Sequence, residues 1–275
     1  MFSFLKKSRK DGEMTFWEHL EVLRKHIVRI AIVIMLFSIL AFIFKSFLFD
    51  KIIFAPKEPS FFTNYWLCKL SEYVNISAIC INDISLDLIN IELAGQFRAH
   101  ILVAIVSGII LAFPYIIYEI LRFIKPALSK KERKGLNSFI FSTTTLFIIG
   151  VLFGYYIISP LTINFLNKYE VSLQVIDKIN LFSYISTVVM LALTTGIVFE
   201  LPIFIFFLSK IGIITPQKLK KYRKHAIVLF LIISGIITPP DVFSQFLVAI
   251  PLYLLYEFSI KISRKVHEKK ETLAG

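Results

Sequence analysis

Apolar residues run along this chain in long stretches separated by short charged ones, and that pattern predicts the architecture before any motif is considered. Four stretches, Ile30 to Phe49, Ile101 to Leu121, Phe139 to Ser159 and Ile185 to Leu208, each hold the roughly 20 largely apolar residues that a helix needs to cross about 30 Å of hydrocarbon. Lys45 lies inside the first, about a turn from its outer end, where a long side chain reaches the interface. Two further stretches are shorter. Ala226 to Ile237 amounts to about 18 Å of helix, and Val242 to Ile260 is interrupted by Pro251. Between them Thr238-Pro239-Pro240-Asp241 is a stop followed by a start, because proline cannot continue one helix but is tolerated in the first turn of the next. Two geometries stay open for this pair: two short crossings that thin the bilayer locally, which is the favoured one, or a re-entrant hairpin. The prediction is an all-α polytopic membrane protein with six transmembrane helices, the fifth and sixth short.

Charge orients the bundle. Lys and Arg number seven before the first stretch, six from Arg122 to Lys134, six from Lys210 to Lys224 and five after Ile260, so most of the 31 cations fall in alternate segments. Cytoplasmic loops retain cations during insertion, which places residues 1–29 and the basic tail 261–275 inside, on either side of a spanning domain 30–260. The net charge of +12 therefore needs no nucleic acid; retained cations and attraction to anionic lipid headgroups account for it. A hydrophobic content of 56% with 28 Phe is too high for a soluble domain of this size. No small-residue cleavage site follows the first apolar run, so a retained helix is predicted, not a removed signal peptide.

Residues 50–96 form one long outer loop, read as a cap, in which alternation from Ile84 to Leu93 suggests a short helix lying over the bundle. It holds both cysteines of the chain, Cys68 and Cys80, on the face where oxidising conditions permit a disulfide. Pairing is favoured; the alternative is two small apolar residues. No His or further Cys accompanies them at metal-ligand spacing, so neither a metal nor a cofactor is expected.

Candidate chemistry lies with polar residues that the membrane makes costly. Glu200, within Val198-Phe199-Glu200-Leu201-Pro202, sits inside the fourth span, where a carboxylate costs about 3 kcal/mol on insertion scales. Pro202 removes a backbone hydrogen bond beside it. The functional reading is favoured over an interhelical bond that only holds the bundle together. Glu119 and Glu257 lie near cytoplasmic span ends, where solvation by water is the expectation, and Arg98 and His100 take the same reading at the opposite rim. Gln245 is read as an interhelical hydrogen-bonder. On the cytoplasmic side Glu132 stands alone among six cations, and Glu18 and Glu21 precede the first span. Carboxylates there suit a basic ligand because two parallel N–H···O bonds can form to a guanidinium. On physics alone an ordinary loop salt bridge from Glu132 to Lys131 or Arg133 is the commoner outcome.

Resemblance alters that balance. The string Phe123-Ile-Lys-Pro126-Ala-Leu-Ser-Lys-Lys-Glu132-Arg133 resembles the first cytoplasmic loop of the TatC family, the signal-recognising subunits of the twin-arginine protein translocase. Further likenesses follow in order: His19-Leu20-Glu21-Val22-Leu23-Arg24, Ala55-Pro56, Phe199-Glu200-Leu201-Pro202, and Thr238-Pro239-Pro240-Asp241-Val242-Phe243-Ser244-Gln245. The resemblance covers about His19 to Arg264. It implies a cupped bundle of six helices in the bacterial cytoplasmic membrane, present in several copies and driven by the proton-motive force. Its ligand would be the arginine pair of a signal peptide on a folded cargo protein. By resemblance Glu132 is the carboxylate that meets that pair, with Phe123 beside it and Arg133 adjoining. Glu200 matches the acid facing single-span TatA- and TatB-type partners, and Pro56 and Asp241 match positions that matter for translocation, with Gln245 nearby. One departure stands out: the family pattern has Glu directly before Leu-Arg, where this chain has Val22, with Glu21 one place earlier. That shift turns the carboxylate by about 100° on a helix, leaving Glu21 or Glu18 to supply a second contact.

The chain carries no nucleophile paired with a base and no glycine-rich phosphate loop, so a receptor and scaffold is expected, not an enzyme. The alternative is a proton-coupled small-solute transporter with Glu200 as carrier. Such transporters pair broken helices in two halves, whereas here only the C-terminal spans are short.

Overall fold

In a computed structural model, residues 16–74, 80, 87–127, 136–168, 178–237 and 242–272 are described, and they are almost all helical. Helix α1 (Phe16–Ile43) opens the chain and passes into a wide helical turn (Phe47–Ile53) and a tight one (Ala55–Lys57). A cap helix α2 (Phe62–Val74) follows on the outer side. Then come α3 (Gly95–Ile124), α4 (Leu136–Phe153) continued through a wide turn (Gly154–Ile158) into α5 (Ser159–Lys168), and α6 (Leu181–Phe199) continued as α7 (Leu201–Ile211). A short α8 (Pro216–Lys221) leads to α9 (Arg223–Ile237) and the long α10 (Val242–Thr272). Five helical rods, His19–Ile43, Gly95–Ile124, Leu136–Asn167, Leu181–Lys210 and Gln245–Glu268, are long and apolar enough to cross a membrane. Helix α9, with 15 residues, reaches only about 22 Å.

Prolines explain both wide turns. A proline offers no N–H to the carbonyl four residues back and its ring crowds that carbonyl, so the helix widens or breaks just before it. Pro160 sits four residues after Tyr156 and follows the wide turn Gly154–Ile158, while Pro56 sits four after Ile52 and follows Phe47–Ile53. Each orphaned carbonyl is taken up from elsewhere in the fold. The Tyr155 hydroxyl donates to the Ile52 carbonyl at 2.6 Å, and the Thr63 hydroxyl of α2 donates to the Tyr156 carbonyl. The Tyr184 hydroxyl donates to the adjoining Ile53 carbonyl at 3.0 Å.

Small residues set the closest helix contacts, as membrane packing favours. Gly150 and Gly154 face α6 so closely that a methyl group on Gly150 would lie 2.7 Å from Phe199 Cβ, and one on Gly154 2.8 Å from the Leu191 carbonyl oxygen. The ring of Phe113 stacks on Phe147 at 3.5 Å beneath this contact. One core cluster, including Ile53, Val103, Ile163, Ile185 and Val188, joins the second, third and fourth rods and the Phe47–Ile53 turn. A second, including Leu191, Phe230, Val248 and Leu252, binds α9 and α10 to the rest.

Three sequence expectations change. A cap helix lies at Phe62–Val74, and of the segment Ile84 to Leu93 residues 87–93 are described and are not helical. Of the latter segment, Leu88–Ile89 forms a short strand β1 in parallel register with β2 (Ile179–Asn180), pairing Leu88 with Ile179. The period of two in that segment was therefore a strand signal. Pro251 lies inside α10 without ending it, and the basic tail continues as helix to Thr272, aided by good helix formers and an Arg264–Glu268 pair one turn apart. Glu119, expected to be solvated, is buried, as its surroundings make clear below.

Candidate functional site

The cytoplasmic end of α1 and the C-terminal end of α3 meet side by side, and the residues singled out in two separate sequence motifs meet with them. Phe123, half-buried at the end of α3, lies with its ring 4.6 Å from that of His19 and 5.8 Å from that of His26, both on α1. Four residues before Phe123, the carboxyl group of Glu119 is 1% exposed. It bonds to His26 Nδ1 and accepts a hydrogen bond from the Tyr115 hydroxyl at 2.9 Å. The guanidinium groups of Arg29 and Arg122 each lie 3.8 Å from it. A carboxyl so far from water is tolerated only with such partners. Sequence position suggested solvation because Glu119 stands near a span end, but depth along the membrane says nothing about sideways burial against a neighbouring helix. The signal that was available is its spacing: Tyr115, Glu119 and Phe123 recur every four residues, on one face of α3.

The other cytoplasmic candidates are less enclosed. Glu21 is exposed on α1 and paired one turn along with Lys25 at 2.8 Å, so its carboxylate turns toward solvent. Val22 precedes His26 by four residues and shares its face toward α3. Glu18 belongs to α1, with its side chain outside the described residues. Glu132 and Arg133 lie outside the described residues altogether, as does Asp241.

Within the membrane, Glu200 ends α6 at a break that Pro202 imposes. Its backbone N–H bonds the Ile197 carbonyl at 3.1 Å, and its own carbonyl accepts from Ile203 and Phe204, both at 3.0 Å. Among the described residues its Oε1 has no hydrogen-bond partner. Gln245 on α10 donates to the Leu231 carbonyl of α9 at 2.8 Å, the interhelical bond its residue type suggested. Nearer the cytoplasm Glu257 receives Arg223 at 2.8 Å and the Tyr253 hydroxyl at 3.1 Å, fastening the same two helices.

On the outer side, Pro56 is buried in its tight turn, and Asn64 of α2 donates to its carbonyl at 3.1 Å and to that of Glu58 at 2.9 Å. A disulfide joins Cys68 of α2 to Cys80. Among the described residues no group of three or more His, Cys, Asp or Glu is placed to hold a metal.

Comparison with known proteins identifies the family. A family model described as Sec-independent protein translocase protein (TatC) matches residues 18–251. The chain belongs to the TatC family. It is 42% identical over 261 residues to the Sec-independent protein translocase protein TatC of Blattabacterium, covering 94% of this chain and 98% of that protein. It is 31% identical to TatCy of Bacillus subtilis, over 95% and 93% of the two chains. A crystal structure of a twin arginine translocase receptor, TatC, superposes with a TM-score of 0.73 at 33% identity, covering 91% of this chain and all of that one. The chain is thus a subunit of the Sec-independent translocase, a multi-pass protein of the inner membrane that works with other subunits of that machine. Six membrane helices, with short α9 as the fifth, and cytoplasmic termini follow from the family fold. Membership of a protein-transport family displaces the small-solute transporter.

Proposed function

We propose that the cytoplasmic end of the α1–α3 pair is the dock for the arginine pair of a signal peptide, with Glu132 as the principal carboxylate and Phe123 as its apolar flank. The reading is supported above all by convergence: the His19 motif and the Phe123 motif, about a hundred residues apart in sequence, lie in ring contact. Glu132 belongs to the segment that leaves α3 directly after Phe123, with Arg133 next to it. A guanidinium pair brought there meets carboxylates near apolar rings, where bidentate bonds gain strength from reduced competition with water. Glu21 and Glu18 are the candidates for the second arginine, reached from the outer side of α1, because Val22 holds the family's usual acidic position.

Capture on the cytoplasmic side would be coupled to recruitment deeper in the membrane. Glu200, at its break in the fourth rod, presents a carboxyl group to single-span TatA- and TatB-type partners, with Gln245 near the start of α10, Asp241 just before it in the sequence and Pro56 on the outer side completing the set. Folded cargo would then pass in an assembly of several copies, powered by the proton-motive force. The chain acts as binder and scaffold, with no covalent step of its own.

The test is photocrosslinking of a twin-arginine signal peptide to the chain in membranes. Glu132→Lys should abolish the crosslink while leaving the protein folded and inserted, since a cation replaces the acid that meets a cation. Undiminished crosslinking would refute the assignment.

A further inference from the structure

The cap helix α2 is amphipathic the wrong way round for a helix surrounded by water. Its exposed side chains are Phe62, Tyr65, Trp66, Lys69, Leu70, Glu72 and Tyr73, with Glu72 at the edge of the face, whereas the side chains turned into the protein include Asn64, 3% exposed, and Ser71, 6% exposed. At about 100° per residue the aromatic and aliphatic positions fall within an arc of roughly 140°, and Asn64 and Ser71 lie on the opposite side. A helix in an aqueous loop buries its apolar stripe and exposes its polar one.

Three further observations fix where this face lies. The Thr63 hydroxyl donates to the carbonyl of Tyr156, so α2 sits at the level of the outer end of the predicted third span, Phe139 to Ser159, beyond which the rod continues to Asn167. The ring of Phe62 meets that of Tyr156 edge to face at 6.2 Å, and Tyr156 is itself partly exposed on the rod's surface, so the aromatic face of α2 continues the lipid-facing surface of the bundle. The cation on this face, Lys69, lies over the rings of Tyr65 and Trp66, at 5.3 and 5.6 Å from their centroids. Tyr and Trp with a long basic side chain is the composition of a helix lying at the boundary of headgroups and acyl chains.

We propose that α2 is an interfacial anchor: its Phe62–Tyr73 face rests in the outer leaflet of the bilayer, with Lys69 reaching the phosphate layer. The anchor is held near its start and at its middle. Asn64 binds the carbonyls of Pro56 and Glu58, and Cys68 is bonded to Cys80. Because α2 follows directly on the Pro56 turn, seating it in the leaflet also fixes the height of the outer end of α1.

The chain has two tryptophans, Trp17 at the cytoplasmic end and Trp66, so Trp17→Phe leaves Trp66 as the sole reporter in an otherwise intact protein. Reconstituted into vesicles of phosphatidylethanolamine and phosphatidylglycerol, Trp66 should be quenched about twofold more by lipids brominated near the headgroup than by lipids brominated near the chain ends, and be shielded from aqueous acrylamide, as an insertion depth of about 5–10 Å requires. A second reporter, Tyr73→Trp in a Trp17→Phe, Trp66→Phe background, should give the same ranking. Strong acrylamide quenching without bromine quenching would put the face in water and overturn the proposal. Shielding from both quenchers would mean that another protein surface covers it, and would overturn it equally.

Discussion

Replacing Glu119 by Ala tests whether the buried carboxyl fastens α1 to α3. The substitution removes the partner of the buried His26 Nδ1 and of the partly exposed Tyr115 hydroxyl, both held against a carboxyl group that is 1% exposed. Leaving the buried His26 ring nitrogen unpaired costs about 1–3 kcal/mol, and breaking a buried charge-linked pair costs about 3–5 kcal/mol in all. In a chain of this size that is a fall in the unfolding midpoint on the order of 10 °C. Glu119→Gln keeps the shape and an acceptor oxygen, so its loss should be smaller, about 1–2 kcal/mol. The assay is thermal unfolding of the purified protein in detergent, followed by circular dichroism. A double-mutant cycle with His26→Ala should give a coupling energy of about 1–3 kcal/mol, as residues sharing one network do. If Glu119→Ala unfolds at the wild-type temperature, or if the cycle shows no coupling, the carboxyl is not the fastening and the reasoning fails.

Tyr155→Phe should destabilise the protein by about 1–3 kcal/mol, because it strands the Ile52 carbonyl that Pro56 has already deprived of a helical donor; a midpoint unchanged in the same unfolding assay would contradict this. Inserting four apolar residues into α9 after Ile233 should lengthen it by about 6 Å and reduce export of a twin-arginine reporter without preventing insertion. The present helix falls about 8 Å short of an ordinary hydrocarbon core, a mismatch worth fractions of a kcal/mol per Å, which on the thinning hypothesis is met by the bilayer beside it. Unimpaired export in cells relying on the lengthened protein would exclude thinning from the mechanism.

How far the sequence discloses this molecule follows from what kind of signal each element carries. Long apolar runs flanked by cations report span number and orientation directly, since hydrocarbon thickness and the insertion bias act on composition alone. The break at Glu200 and the tie through Gln245 were also readable, one from Pro202 and the other from an amide placed where only a neighbouring helix can satisfy it. Helix α2 was missed because apolar patterning is ordinarily read as pointing to a core, and its aromatic positions point outward. Glu119 was misread for a related reason. Its solvation depends on which face of α3 meets α1, and hydropathy averaged along one helix does not contain the rotation of another.

The same limit explains how the proposed dock would be assembled. In that proposal neither the His19 motif nor the Phe123 motif forms a site alone; each would supply one wall, and what brings the two motifs together is the packing of α1 on α3. That packing is set at two heights. Near the cytoplasm the Glu119 network ties the helices through side chains. Deeper in the membrane Gly108 lets the backbones approach until a methyl group added there would stand 2.8 Å from the Ser38 nitrogen. Beyond α1, in the Phe47–Ile53 turn, Tyr155 holds the Ile52 carbonyl that Pro56 leaves and Tyr184 the adjoining Ile53 carbonyl. A rod fixed at three heights resists both tilt and rotation, and rotation is the motion that matters. Val22, His26 and Arg29 share one face of α1, so turning the helix by the roughly 100° that separates Glu21 from Val22 would exchange a carboxylate for an apolar side chain beside Phe123. On the proposed dock, the choice of acid for the second arginine is therefore a question of helix rotation, which the buried network around Glu119 holds in place.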